Sequence, residues 1–172
     1  MTFSSSKSAA GAVLLMLLAG APALAKPVTV TPGNPAVTVD IPAKWQASQI
    51  DRGVQAKTAD EEVFIWFESY RPAQFQTLVG EHNAYFKKQG VAIGDQNESR
   101  EKEFPTYVVK TTNFTATYQG KPTILRYVSV IPKDADKRNL LVSVWASPEG
   151  ETTYAEDIQA IFGSFRASVE GL

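Results

Sequence analysis

The chain has 172 residues, with 17 Lys and Arg against 18 Asp and Glu and a formal net charge of −1. This length corresponds to one domain, and the balanced charge excludes the strongly basic surface that nucleic-acid binders need. There is no cysteine and only one histidine. The composition therefore excludes a disulfide framework, a thiolate nucleophile, a Cys-ligated metal site and a metal site built from several histidines.

The first 25 residues have the pattern of a secretory signal peptide. Lys7 precedes an apolar run over Ala9–Ala21, and Ala23-Leu24-Ala25 matches the small-x-small motif of signal peptidase. The run of about 13 residues falls short of the roughly 20 that span a bilayer. We therefore expect cleavage after Ala25, which leaves residues 26–172 as a single periplasmic or secreted domain with no stable membrane insertion.

The first half of this domain is predicted to consist of strands followed by one helix. The strand Glu62–Tyr70 is apolar on both faces, which indicates that both faces are covered. A helix is predicted from Pro72 to Gln89, with Gly90 beyond its end and one apolar stripe at spacings of three and four. The other short strands are predicted over Val28–Thr31, Ala36–Ile41, Trp45–Ile50 and Gly53–Thr58. The apolar stripe of the predicted helix comprises Phe75, Leu78, Val79, His82 and Phe86.

The second half is predicted to add hairpins and a closing helix. Charged residues over Asp95–Glu103 indicate a solvated loop after a short extended segment. A helix is predicted over Thr153–Arg166, because Thr153 and Glu156 have the spacing of a capping box. The predicted strands are Thr106–Tyr118, Thr123–Ile131 and Leu140–Ala146.

This order of elements predicts an α+β fold. Consecutive hairpins imply a mainly antiparallel sheet, and two amphipathic helices must each bury an apolar stripe on it. Helices on opposite faces would also explain the two-sided apolar character of Glu62–Tyr70. We therefore expect a three-layer α/β/α sandwich.

Two short motifs resemble those of the Mog1/PsbP-like domain family. Ile41-Pro42 followed by Trp45 is similar to the family's P-x-x-W opening, and Ile161–Phe165 is similar to its I-x-x-S-F ending. The resemblance covers Ala36–Arg166 and implies the family's fold and a role as an adaptor or assembly factor, not as an enzyme. Lys44 stands where many bacterial members have Gly. The ion-linked histidines of the family's photosystem subunit have no counterpart set here, where His82 is the single histidine, so we expect neither a metal nor a cofactor.

No catalytic residue is predicted. His82 lies on the apolar stripe of the first helix, and no G-x-S-x-G motif accompanies it, so a hydrogen-bonded core histidine is expected. Acidic residues are grouped, a pattern that serves glycoside hydrolysis or calcium binding in some proteins and that we interpret here as solvated turns. These groups are Asp60-Glu61-Glu62, Asp95 with Glu98, and Asp134 with Asp136.

The aromatic residues provide the best indication of a binding surface. Trp66, Tyr70 and Arg71 are our predicted exposed set, because Trp, Tyr and Arg are common anchors at protein interfaces. The favoured function is a non-enzymatic module that binds another envelope or secreted protein in an assembly, chaperone or effector-immunity role. A small-molecule-binding protein and, less favoured, a small secreted hydrolase are the alternatives.

Overall fold

The computed structural model describes residues 25–33 and 35–171. The predicted signal peptide lies outside the described residues, except for Ala25. The described part begins with a two-stranded antiparallel hairpin formed by β1 (Lys26–Thr31) and β2 (Val37–Ile41). No helix within 25–33 and 35–171 is long and apolar enough to cross a membrane.

A seven-stranded, fully antiparallel sheet forms the centre of the domain. Its strands are β3 (Gln46–Ile50), β4 (Gly53–Lys57), β5 (Val63–Tyr70), β6 (Val91–Glu103), β7 (Tyr107–Tyr118), β8 (Lys121–Pro132) and β9 (Asn139–Ala146). The spatial order is β3-β4-β5-β9-β8-β7-β6. The last strand therefore lies between β5 and β8, which joins the two halves of the chain into one sheet.

Helices cover both faces of the sheet. A 3₁₀ turn over Pro72–Gln74 leads into α1 (Phe75–Lys88), which buries Leu78, His82 and Phe86 against one face. The other face packs against the β1–β2 hairpin and the last helix, α3 (Ala155–Glu170). The short helix α2 (Pro148–Thr153) precedes α3. The predicted three-layer α+β architecture is confirmed.

The residues of the two family-like motifs connect the hairpin to α3. The Trp45 indole Nε1 donates to Asp157 Oδ2 at 2.9 Å. Ser164 Oγ accepts from the backbone N–H of Asp40 at 2.9 Å, and Ser168 Oγ accepts from that of Thr38 at 2.8 Å. Two serines one helical turn apart thus satisfy two N–H groups of β2, which would otherwise face a helix that offers no backbone partner.

Two sequence-based predictions are wrong. Asp95–Glu103 is not a loop but the greater part of β6, the edge strand that pairs with β7. The last helical region begins at Pro148, where the Ser147 side chain accepts from the Gly150 N–H at 2.8 Å. No side-chain cap forms at the start of α3, so the predicted Thr153–Glu156 box does not exist. In both places backbone pairing or a nearer cap outweighed the local side-chain pattern.

Candidate binding cleft

A wide cleft formed by the described residues lies at one end of the sheet. It has a volume of about 970 Å³ and opens beside the last turn of α1, where β5 begins and β9 ends. The α1 helix ends at Lys88, and Gly90, at a φ of +86°, turns the chain into β6. The helix therefore leaves this end of its sheet face uncovered.

Aromatic rings form the floor of the cleft. Phe64 and Trp145 are cross-strand partners on β5 and β9, and their rings stack with centroids 5.1 Å apart. Tyr118 meets Trp145 edge-on at 5.4 Å, and Tyr85 enters from α1. The Trp145 Nε1 donates to Thr123 Oγ1 at 3.1 Å, which fixes the indole. Phe64 is half-buried and Tyr118 exposed, so ring surface is accessible from the cleft.

Charged side chains form the rim. Lys57 pairs with Glu61 at 2.5 Å, and its Nζ lies 5.8 Å from the centre of the Phe64 ring. The Asp60 carboxylate accepts from the Tyr154 hydroxyl at 2.6 Å. Hydrogen bonds from Thr58 and Tyr154 hold the pKa of Asp60 below its usual value. The rim therefore carries fixed negative charge next to an apolar floor.

The three residues predicted to be exposed, Trp66, Tyr70 and Arg71, do not line this cleft and do not form a surface patch. Trp66 is only 7% exposed and Tyr70 only 2%, while Arg71 is exposed. The expected exposure of the two aromatic residues is wrong because α1 lies over them: Trp66 meets the ring of Phe86 edge-on, and Tyr70 meets that of Phe75. Their role in binding stays an untested prediction.

None of Phe64, Tyr118 and Trp145 belongs to the set that was predicted to be exposed. Each lies on a predicted strand. Their convergence depends on the pairing of β5 with β9, which are far apart in the chain. A surplus of aromatic residues near strand ends is the only local indication of this cleft.

A buried polar cluster lies under α1, apart from the cleft. His82 Nε2 contacts the carboxylate of Glu68, and these residues are 7% and 4% exposed. Arg52, on the turn between β3 and β4, places its Nε 3.5 Å from Glu68 Oε1 and also pairs with Glu81. The prediction that His82 is a hydrogen-bonded core residue is confirmed. The cluster connects α1 to β5 and to the β3–β4 turn.

Tyr127 extends this cluster on β8. Its hydroxyl donates to Asn83 Oδ1 at 3.4 Å. Burial, with a smaller contribution from the Glu68 carboxylate, raises the pKa of Tyr127 above its usual value. The folded protein therefore keeps this hydroxyl neutral under conditions in which the unfolded chain ionises it.

We expect Tyr127→Phe to make the protein less sensitive to alkali. As pH rises, Tyr127 loses its proton in the unfolded chain before it does so in the folded protein. Each pH unit above about 10 therefore lowers the free energy of unfolding of the wild type by up to about 1.4 kcal/mol through this residue. Other tyrosines with raised pKa, such as Tyr70, remain in both proteins and cancel in the comparison. Urea unfolding between pH 8 and pH 12 gives the free energy of unfolding of both proteins. The amount by which the wild type exceeds Tyr127→Phe should decrease as pH rises. Parallel stability curves would contradict this assignment.

The acidic groups lie where solvated side chains are expected. Asp134 Oδ1 accepts from the Asp136 N–H within an exposed turn. Glu98 lies on β6 and accepts from Asn113 Nδ2 at 3.0 Å. Among residues 25–33 and 35–171, no three His, Asp or Glu side chains come together in an arrangement that could hold a metal ion.

Comparison with known proteins identifies the fold. No protein-family profile and no curated protein matches the sequence. The structure is similar to the solution structure of cyanobacterial PsbP (CyanoP) from Synechocystis sp. PCC 6803, with a TM-score of 0.57 and 5% identity over 85% of this chain and 94% of that one. A protein of unknown function from Pseudomonas aeruginosa aligns over 77% of this chain and 91% of its own at 14% identity, but its TM-score of 0.35 is below the level that indicates a shared fold.

The chain has the Mog1/PsbP-like fold. The resemblance expected from the Pro42–Trp45 and Ile161–Phe165 motifs is thus confirmed at the level of fold. At 5% identity the similarity extends to architecture and not to particular site residues.

Proposed function

We propose that this chain is a non-enzymatic binding protein and that its aromatic cleft receives part of another protein. The observation that carries the proposal is the aromatic floor left uncovered beyond the end of α1, where the accessible rings are those of Phe64 and Tyr118 and the buried Trp145 packs against both. Interfaces combine an apolar, aromatic centre with a polar rim, and this cleft has both. The fold similarity to PsbP supports a module that acts by binding.

The proposed setting is the periplasm or the cell exterior, with an assembly, chaperone or effector-immunity role. The apolar segment before Ala23-Leu24-Ala25 supports export. The mature chain is then expected to begin at Lys26. Intact-mass measurement of the protein purified from its natural compartment checks this, and an unprocessed N-terminus would contradict export through a cleaved signal peptide.

Site-specific photo-crosslinking tests the cleft directly. A benzophenone amino acid placed at Gln119, in the turn at the cleft, is expected to yield one dominant adduct in the native envelope. The matched control is the same amino acid at Asp136, an exposed turn residue at the opposite end of the sheet. Equal adducts from both positions, or none from Gln119, would contradict the proposal.

Phe64→Ala should reduce the Gln119 adduct about tenfold or more, as expected for a central aromatic anchor. Phe114→Ala is the control, because Phe114 is also a half-buried phenylalanine on the same sheet face but does not line this cleft. Both variants lose a ring from the sheet, so a general loss of stability would lower the yield of the Gln119 adduct equally in the two variants. A selective effect of Phe64→Ala identifies the cleft.

A small-molecule ligand is the second candidate, favoured by the size of the cleft. Its volume of about 970 Å³ lies at the upper end of the range typical of ligand sites. A compound that raises the melting temperature of the wild type and of Phe114→Ala, but not of Phe64→Ala, would favour this alternative over a protein partner.

A further inference from the structure

The charges that line the cleft are unequal. Four carboxylates face two amines, which leaves a net charge of −2 on a protein whose formal charge is −1. The carboxylates belong to Asp60, Glu61, Glu62 and Glu149, and the amines to Lys57 and Lys121. Lys57 is already paired with Glu61. The negative charge of the protein is thus concentrated beside the aromatic floor.

The carboxylates form one wall, which we call the acidic wall: Asp60, Glu61, Glu62 and Glu149. Its two parts, the β4–β5 turn and the start of α2, are joined by short contacts. The Ser147 N–H donates to the Glu62 carbonyl at 3.0 Å, and the Ser147 hydroxyl contacts the Glu62 carboxylate. Gly150 approaches Glu62 so closely that a Cβ there would lie 2.8 Å from its carbonyl oxygen. The wall is therefore held in place before any partner arrives.

One ring of the floor already takes part in a cation–π contact within the chain. Lys57 Nζ lies 5.8 Å from the centre of the Phe64 ring, so this ring already has an ammonium group against it. Rings of this kind attract guanidinium and ammonium groups through their negative faces, more strongly when water is excluded. An acidic wall beside accessible rings therefore favours a cation that also brings apolar surface.

We infer that the partner presents to the cleft a polypeptide segment in which an Arg or Lys lies next to an aromatic or aliphatic side chain. This inference rests on the proposed function. The apolar side chain packs on Phe64 and Tyr118, and the basic group faces Glu149 and the neighbouring carboxylates of the acidic wall. Because the attraction is between partly exposed charges, binding weakens as salt rises.

A displayed library of random heptapeptides tests the inference with the whole mature protein as target. Selection on the wild type, with depletion on Phe64→Ala, is expected to enrich peptides that join a basic and an aromatic residue. Enrichment of acidic or uncharged peptides would overturn the inference while leaving the cleft as a binding site. No enrichment, together with no Gln119 adduct, would overturn both the inference and the proposed function. No enrichment with a Gln119 adduct present would overturn the inference alone.

Charge reversal then locates the basic group. Glu149→Lys is expected to weaken the best selected peptide about tenfold at low salt, and less at high salt. Glu101→Lys is the matched control, because Glu101 is an exposed carboxylate on β6 that does not line the cleft. An equal loss in both variants, or no loss in Glu149→Lys, would overturn the assignment of the acidic wall as the partner's contact.

Discussion

His82→Ala is expected to lower the free energy of unfolding by about 3–5 kcal/mol, with little effect on binding at the cleft. The substitution removes the group that contacts the Glu68 carboxylate and leaves that carboxylate buried, with only the Arg52 Nε 3.5 Å away. It also opens a cavity between α1 and the sheet. Urea unfolding followed by tryptophan fluorescence measures the loss.

Two further variants identify the cause. Adding Glu68→Gln to His82→Ala replaces the buried carboxylate that has lost its histidine partner. The double variant should therefore recover part of the lost free energy of unfolding. Lys87→Ala, an exposed change on the same helix, should alter stability by less than about 0.5 kcal/mol. If His82→Ala unfolded like the wild type but lost the Gln119 adduct, His82 would be a functional residue and our structural assignment would be wrong.

Gly53→Ala is expected to be the other strongly destabilising substitution, at a cost of about 3 kcal/mol or more. Gly53 begins β4 opposite Glu68, and a Cβ there would lie 1.9 Å from the Phe67 carbonyl oxygen. That oxygen belongs to the backbone of β5, an interior strand of the sheet, so it cannot move aside as a flexible side chain would. Thermal unfolding by circular dichroism should show a large fall in the melting temperature.

The control is Gly163→Ala on α3. A Cβ at Gly163 would meet nothing within 4 Å, and the residue is exposed within a helix. Alanine there should stabilise the protein by about 0.5–1 kcal/mol, because it restricts the unfolded chain and favours the helix. Similar melting temperatures for Gly53→Ala and the wild type would show that β4 and β5 can separate at this point.

The buried cluster and the cleft have different roles in the protein. Glu68, His82 and Arg52 hold α1 against the sheet, and the position of α1 decides which rings stay accessible. Trp66 is covered by the helix, whereas Phe64, two residues earlier on the same strand face, reaches the cleft. A loosened α1 should therefore leave the floor of the cleft in place, because Phe64 and Trp145 belong to the sheet.

Local periodicity predicted those elements whose stability depends on one apolar face. The stripe containing Leu78, His82 and Phe86 predicted α1 and the burial of its histidine, and both are confirmed. The predicted strand Glu62–Tyr70 was expected to be covered on both sides, and the observed strand Val63–Tyr70 lies in the middle layer of a three-layer structure. Local patterns were insufficient for β6, because an edge strand is held by hydrogen bonds to β7 and its side chains can be charged on both faces.

The sequence by itself determined most of the elements, the three layers and the fold, because these depend on apolar spacing within short stretches of chain. Only the tertiary structure decided which aromatic residues are accessible. The accessibility of Phe64, stacked on the buried Trp145, follows from the register that pairs β5 with β9 and from the residue at which α1 ends. Both are long-range outcomes of packing, because ring size and strand preference do not differ between an aromatic residue that is covered and one that is accessible.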